Sequence, residues 1–358
     1  MKTGLIILFC VSAMAQGIGR SEAWRPWLEG RFSDAEQNFA QMRRASPVFE
    51  SSVVLWQADY EIERARYSRA ASLIDFGKRR LEWQSANRFQ GRQAKLLLAV
   101  GQFAEAQKAV LGKSKWDGKD VGRLRLDSVI DFVTLGEVAL AKGGLEGAIA
   151  ALEKARRMSG KASSLYGPEW VRANDDIAIA DLGLGSLQAA SEAASAALSA
   201  AAHEWGTGSI PAMDSLDALG LVQISQGAFP SAEESLARAL AWREGTYGTY
   251  HPKTADSYIH TALLCCARDQ YGDAVRLLER ALQIQKATSI GPNGRWALAL
   301  LTGAEIYAKA GQIREADSCY ESALPILEPE LGPDAPRLKA ARQRYNELRG
   351  MPKQSGPN

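Results

Sequence analysis

The chain has 358 residues, 46% of them hydrophobic and 23% charged, with a formal net charge of +2. Those fractions exclude a disordered, collagen-like or multi-span membrane chain. So even a charge balance also excludes a general nucleic-acid binder, which must concentrate basic side chains against phosphates.

At the N-terminus, Lys2 precedes the short apolar run Leu5-Ile6-Ile7-Leu8-Phe9-Cys10-Val11, and Ala13-Met14-Ala15 places small residues where a signal peptidase reads. Residues 1–15 are expected to be a signal peptide cleaved after Ala15. The run is too short for a permanent span, which takes about 20 apolar residues. Bulky Phe9 directly before Cys10 argues against lipidation there. Cleavage leaves Cys265, Cys266 and Cys319, an odd set that excludes a fully paired disulfide framework in an exported chain. They read as small apolar core residues. No Asn-x-Ser/Thr acceptor occurs, which points to a bacterial protein, periplasmic or secreted.

Beyond the signal, one pattern recurs. Gly227-Ala228-Phe229-Pro230-Ser231-Ala232 returns in altered form at Asp269 and Gly311, each 42 residues on, and steps of 42 backwards reach Gly185, Gly143 and Gly101. Two further turns, at Ala65 and Gly30, follow at intervals of 36 and 35. Five residues after each turn stands an alanine: Ala35, Ala70, Ala106, Ala148, Ala190, Ala232, Ala274 and Ala316. Seven residues before it the residue is again small: Ala23, Ala58, Ala94, Gly136, Ala178, Gly220, Ala262 and Ala304. Small residues at both places let two antiparallel helices approach closely, and a larger apolar residue two after the turn, such as Phe103 or Phe229, plugs the wedge between them. Leu152, Leu236, Leu278 and Tyr320 fill the next layer, and Ala155, Ala239, Ala281 and Ala323 admit the following unit.

This pattern resembles the tetratricopeptide repeat, a helix-turn-helix unit of about 34 residues, over essentially Ser21 to Gly350. The last four units, with phrases such as Tyr250-His251-Pro252-Lys253-Thr254-Ala255 and Arg280-Ala281-Leu282-Gln283-Ile284, resemble the kinesin-light-chain type. The resemblance implies an all-α fold: an α-solenoid of about eight such repeats in a right-handed superhelix. Three N-terminal units are expected over 16–111, a polar seam at 112–122, five units over 123–349 and a disordered tail at 350–358. Arg337 to Arg349 is amphipathic, with Leu338, Ala341, Tyr345 and Leu348 on one side, and reads as a capping helix.

Short catalytic signatures are missing: no phosphate loop, no His-Glu-x-x-His, no Cys-x-x-Cys and no Gly-x-Ser-x-Gly. No cofactor or metal is expected. His260, Cys265 and Cys266 share a helix but not the spacing of ligands on one face. His251 opens a helix and reads as a capping residue. The resemblance implies that each unit's first helix lines the inner surface, and its inner positions here are Asp175 and Asp176, then Asp214 and Asp217, then Asp256 with His260. Such a row would attract a basic or amine-bearing segment. The plainer reading is that these aspartates sit in the first turns of helices and stabilise the dipole's positive end.

The Lys, Asn and Arg set that the family uses to clamp a C-terminal carboxylate is absent from those positions. An exported, non-catalytic scaffold that binds a peptide or helix of an envelope or secreted protein is therefore the expected function. The alternatives are an envelope-polymer enzyme or accessory using Asp175, Asp176, Asp214 or Asp217 as a carboxylate pair, and an oligomeric assembly subunit.

Overall fold

A computed structural model describes residues 25–45, 50–80, 83–112, nine positions between 114 and 128, then 129–161, 167–289 and 293–350. The expected signal at 1–15 and residues 351–358 of the expected tail lie outside the described residues. Among those described there are sixteen longer helices and no strand: α1 (Phe32–Ala45), α2 (Glu50–Glu63), α3 (Tyr67–Arg80), α4 (Trp83–Ala99), α5 (Phe103–Leu111), α6 (Val129–Lys142), α7 (Leu145–Ser159), α8 (Gly167–Gly183), α9 (Leu187–Trp205), α10 (Ile210–Ser225), α11 (Phe229–Tyr247), α12 (Pro252–Ala267), α13 (Tyr271–Thr288), α14 (Gly294–Lys309), α15 (Ile313–Leu331) and α16 (Pro336–Gly350). A helical turn at 25–28 pairs with α1, and each even-numbered helix from α2 to α14 pairs with the odd-numbered one after it. Eight hairpins and a closing helix result, an all-α solenoid.

One local device makes all eight turns. Gly30, Ala65, Gly101, Gly143, Gly185, Gly227, Asp269 and Gly311 all have φ between 53° and 78°. At Gly143 the residue's own N–H donates to the Leu140 carbonyl and the next N–H, of Gly144, reaches back to Ala139 at 2.9 Å, and the same pair of bonds recurs at the other seven turns. This left-handed ending satisfies carbonyls that the helix would otherwise leave bare. The carbonyl of the residue after the turn then accepts the N–H of the conserved-spacing alanine, as Gly144 does for Ala148 at 2.9 Å, and so starts the second helix.

The small residues sit where the helices cross. All eight alanines that follow the turns are fully buried, as are Ala58, Ala94, Ala178, Ala262 and Ala304 before them. At Gly136 and Gly220 a Cβ would fall within 2.5 and 2.6 Å of the side chains of Leu152 and Leu236. Those leucines are buried in the next layer, with Leu278 and Tyr320 at the equivalent places. Cys266 and Cys319 are buried among the same apolar side chains. Leu187, the plug of its unit, is an exception at 39% exposed. The connection before α6 does not stand clear of the stack: Trp116, Val121 and Leu126 pack on Ala94, Val110, Leu135 and Ala151.

The solenoid also touches itself. Phe32 stacks on Tyr247 with ring centroids 5.8 Å apart, and His251 stacks on Tyr247 at 4.3 Å. The Gly294 N–H donates to the Gly101 carbonyl at 3.1 Å, and Arg337 donates to the Leu140 carbonyl at 3.1 Å. The Phe32–Tyr247, Gly101–Gly294 and Leu140–Arg337 contacts each join units five apart, so about five units complete one superhelical turn. A channel runs inside that turn. No helix among the described residues is long and apolar enough to cross a membrane.

Candidate functional site

The channel is lined by first helices, because each hairpin turns its first helix inward and its second outward. Two adjoining cavities of about 120 and 450 Å³ share Glu63, Lys95, Glu137, Arg172 and Lys253. The upper one is walled by Trp27, Trp56, Ile130, Val133 and Val171, the lower one by Leu98, Leu140, Ile259 and Leu298. Charged side chains thus alternate with apolar ones along a tube.

The aspartates expected on the inner surface do come together there, but they bring their own cations. Asp214 (α10) binds Arg243 (α11) through Oδ1 and Lys253 (α12) through Oδ2, both at 2.7 Å. Asp217, 3% exposed, pairs with Arg243 and lies 3.1 Å from Nδ1 of His260. Asp256 accepts from Arg295 at 2.6 Å and from Gln285 at 3.0 Å. An acidic row open to a basic segment is therefore not what the channel offers at these three positions. None of the cations follows from the inner positions of the repeat: Arg243 reaches in from a second helix, and Lys253 and Arg295 from the first turns of α12 and α14.

Further charges from the N-terminal units complete the lining. Asp59 accepts from Arg92 at 3.0 Å and Lys95 at 3.1 Å. Glu137 pairs with Arg172. Glu63 takes Lys253 at 2.8 Å and the Tyr247 hydroxyl at 2.5 Å, while its carbonyl meets Nε2 of His251 at 3.1 Å. Nδ1 of His251 accepts the Lys253 N–H at 3.2 Å, the helix-capping role expected of it. Glu63 escaped the sequence reading because Lys253 reaches it from five units away, and Asp59, Arg92, Lys95, Glu137 and Arg172, which pair between neighbouring units, because the repeat pattern does not tell which polar side chains turn inward.

Burial and pairing set the protonation of the group. Burial alone would raise the Asp217 carboxyl, but Arg243 and His260 hold it well below the usual range. Burial would lower His260, and Asp217 instead raises it above 6.5. Burial would likewise raise Glu63, which Lys253 draws down to about 2. His251 is pushed down by burial to about 4, against the pull of Glu63 and with Lys253 adding to the fall.

Asp175 and Asp176 stand apart. Asp175 (α8) accepts from the Ser215 hydroxyl at 2.9 Å through Oδ2, while its Oδ1 is buried without a partner. Burial, with Asp214 and Asp176 nearby, pushes its carboxyl well above the usual range. Burial and the adjacent Glu137 do the same to Asp176, against the pull of Arg172.

Residues 211–287 match the family model of the tetratricopeptide repeat. No curated protein matches the sequence. Among solved structures, a Rap protein complexed with competence and sporulation factor is similar over 92% of this chain and 97% of its own, at 12% identity and a TM-score of 0.56. The Cut9–Hcn1 hetero-tetramer of the APC/C is similar over 92% of this chain and 57% of its own, at 12% identity and 0.51. A putative kinesin light chain from Podosopora anserina shares 22% identity over 55% of this chain and 94% of its own, with a TM-score of 0.38.

Proposed function

We propose that this chain, an all-α solenoid whose residues 211–287 match the tetratricopeptide repeat, is an exported, non-catalytic scaffold holding a segment of an envelope or secreted protein inside its channel. The observation that carries this reading is the convergence of the first helices on two adjoining cavities, lined by paired charges between apolar walls. An extended segment brings amide donors and acceptors along its whole length, and a lining with both kinds of partner can meet them while the walls take apolar side chains. The Rap protein, similar in fold, is described in complex with a factor, which accords with this use of the architecture. Hydrolysis by a carboxylate pair is less well supported, since both oxygens of Asp214 are already engaged by Arg243 and Lys253.

A photo-crosslinking residue placed at Leu298, inside the channel, should trap the partner. The same residue at Glu234, exposed on the outer helix α11, should not. Equal crosslinking from both positions would sink the channel as the binding surface. Export is checked by sequencing the mature N-terminus, which should begin at Gln16.

A further inference from the structure

The upper cavity contains one buried acid with no cation of its own. Asp175 is 8% exposed and lines the cavity, and its Oδ1 has no hydrogen-bond partner. Three nearby acids are provided for: Asp59 by Arg92 and Lys95, Glu63 by Lys253, Asp217 by Arg243. An unpaired buried carboxyl is costly, and the missing partner must come from outside the chain.

The charges around Asp175 favour a cation. Asp214 and Asp176 lie close enough to raise it, and the cation that opposes them, Lys253, is already shared by Glu63 and Asp214. On its own helix Arg172 is held by Glu137, while Glu169 lines the same cavity with no cation on it. Across the cavity, exposed Arg88 stands at the wall, with Arg92 and Lys95 committed to Asp59. Trp27 and Trp56 form the apolar part of the wall, and indole faces suit a flat or alkylated cation. The indole N–H of Trp27 is also buried without an acceptor, a place for a carbonyl of the same segment.

Resting on the channel reading above, we propose that this cavity receives a single cationic side chain of the bound segment, a guanidinium or alkylammonium, which pairs with Asp175. In the empty channel burial favours the neutral acid at Asp175. When the cation enters, the carboxyl proton leaves to solvent and an ion pair forms in its place, so that binding and proton release are linked. Ser215 keeps the carboxyl oriented through Oδ2.

The test uses the full mature chain and two short synthetic peptides that differ at one central position, arginine in one and citrulline in the other. Titration calorimetry should show the arginine peptide binding about tenfold tighter, the scale of a charged hydrogen bond against a neutral one. That ratio should rise with pH, and heats measured in two buffers of different ionisation enthalpy should report a released proton for arginine alone. In Asp175→Asn the ratio should fall to about one while the citrulline peptide binds as before; the amide still accepts from Ser215, so folding should be kept. Equal binding of both peptides to the wild type would overturn the cation site and leave the channel reading standing. Binding of neither would overturn both, and an arginine preference that survives in Asp175→Asn would overturn the assignment to Asp175.

Discussion

Two of the eight turns are made without glycine. Ala65 and Asp269 hold φ of 53° and 60°, a conformation that costs an L-residue on the order of 1–2 kcal/mol. Ala65→Gly should therefore raise stability by about 0.5–1 kcal/mol, the relieved strain exceeding the entropy that glycine adds to the unfolded chain. The opposite sign is expected where helices cross. In Gly220→Ala the new methyl would lie within 2.6 Å of Leu236, and overpacking of this kind costs about 1–3 kcal/mol. Ala232→Leu should cost a similar amount, since Ala232 has no exposed surface at all. Urea denaturation of the three variants checks both signs. These positions were legible in the sequence, because spacing to the turn identifies them and close packing is a local demand.

Between elements, Arg243 is the residue that joins three helices. From α11 it binds Asp214 and Asp217 on α10 and donates to the Ser257 hydroxyl on α12 at 2.6 Å. Arg243→Ala would leave Asp214 with Lys253 alone and buried Asp217 with only His260 and Ser257 beside it, and removing one partner of a buried pair costs about 3–5 kcal/mol. The melting temperature should fall accordingly. His260 contributes to the same cluster with a definite pH dependence. Its pKa is raised above 6.5 in the folded state, so its stabilisation is complete below about pH 6.5 and is lost as pH rises through the folded value. The stability gap between wild type and His260→Asn should therefore be largest in mild acid and shrink on alkalinisation, read from melting temperatures across pH. An aspartate row on first helices was visible in the sequence. Its neutralisation was not, since nothing in the repeat pattern tells whether Arg243 turns outward or inward.

At the scale of the whole molecule, closure of the superhelix rests on a small set of contacts between its windings. Glu63 meets Tyr247, His251 and Lys253, and the stacked rings of Phe32, Tyr247 and His251 lie beside it. Two of these groups are acid-sensitive in the same direction. His251 has its pKa lowered to about 4, so its contribution is present above pH 6.5 and is lost as pH falls toward 4. Glu63, drawn down to about 2, contributes above its ordinary 4.5 and loses that contribution as pH falls toward 2. Acidification below about pH 4 should loosen this contact before the hairpins melt, because their packing is apolar. Small-angle scattering should then show a larger maximum dimension while circular dichroism stays helical, and Glu63→Gln should open at a higher pH. Loss of helix and expansion at the same pH would count against a separate closure step.

The sequence by itself determined the hairpins. A left-handed turn residue, an alanine five later and a small residue seven before are demands of geometry within some forty residues, and a chain must write such demands locally. The tertiary structure decided the curvature, and with it the function-bearing surface. Superhelical pitch is the sum of small rotations between successive units, none of which any one repeat displays. Only when about five of them have accumulated do Glu63 and Lys253 meet, and only the inward turn of Arg243, Lys253 and Arg295 within and between neighbouring units gives the aspartates their cations and leaves Asp175 a buried acid without one.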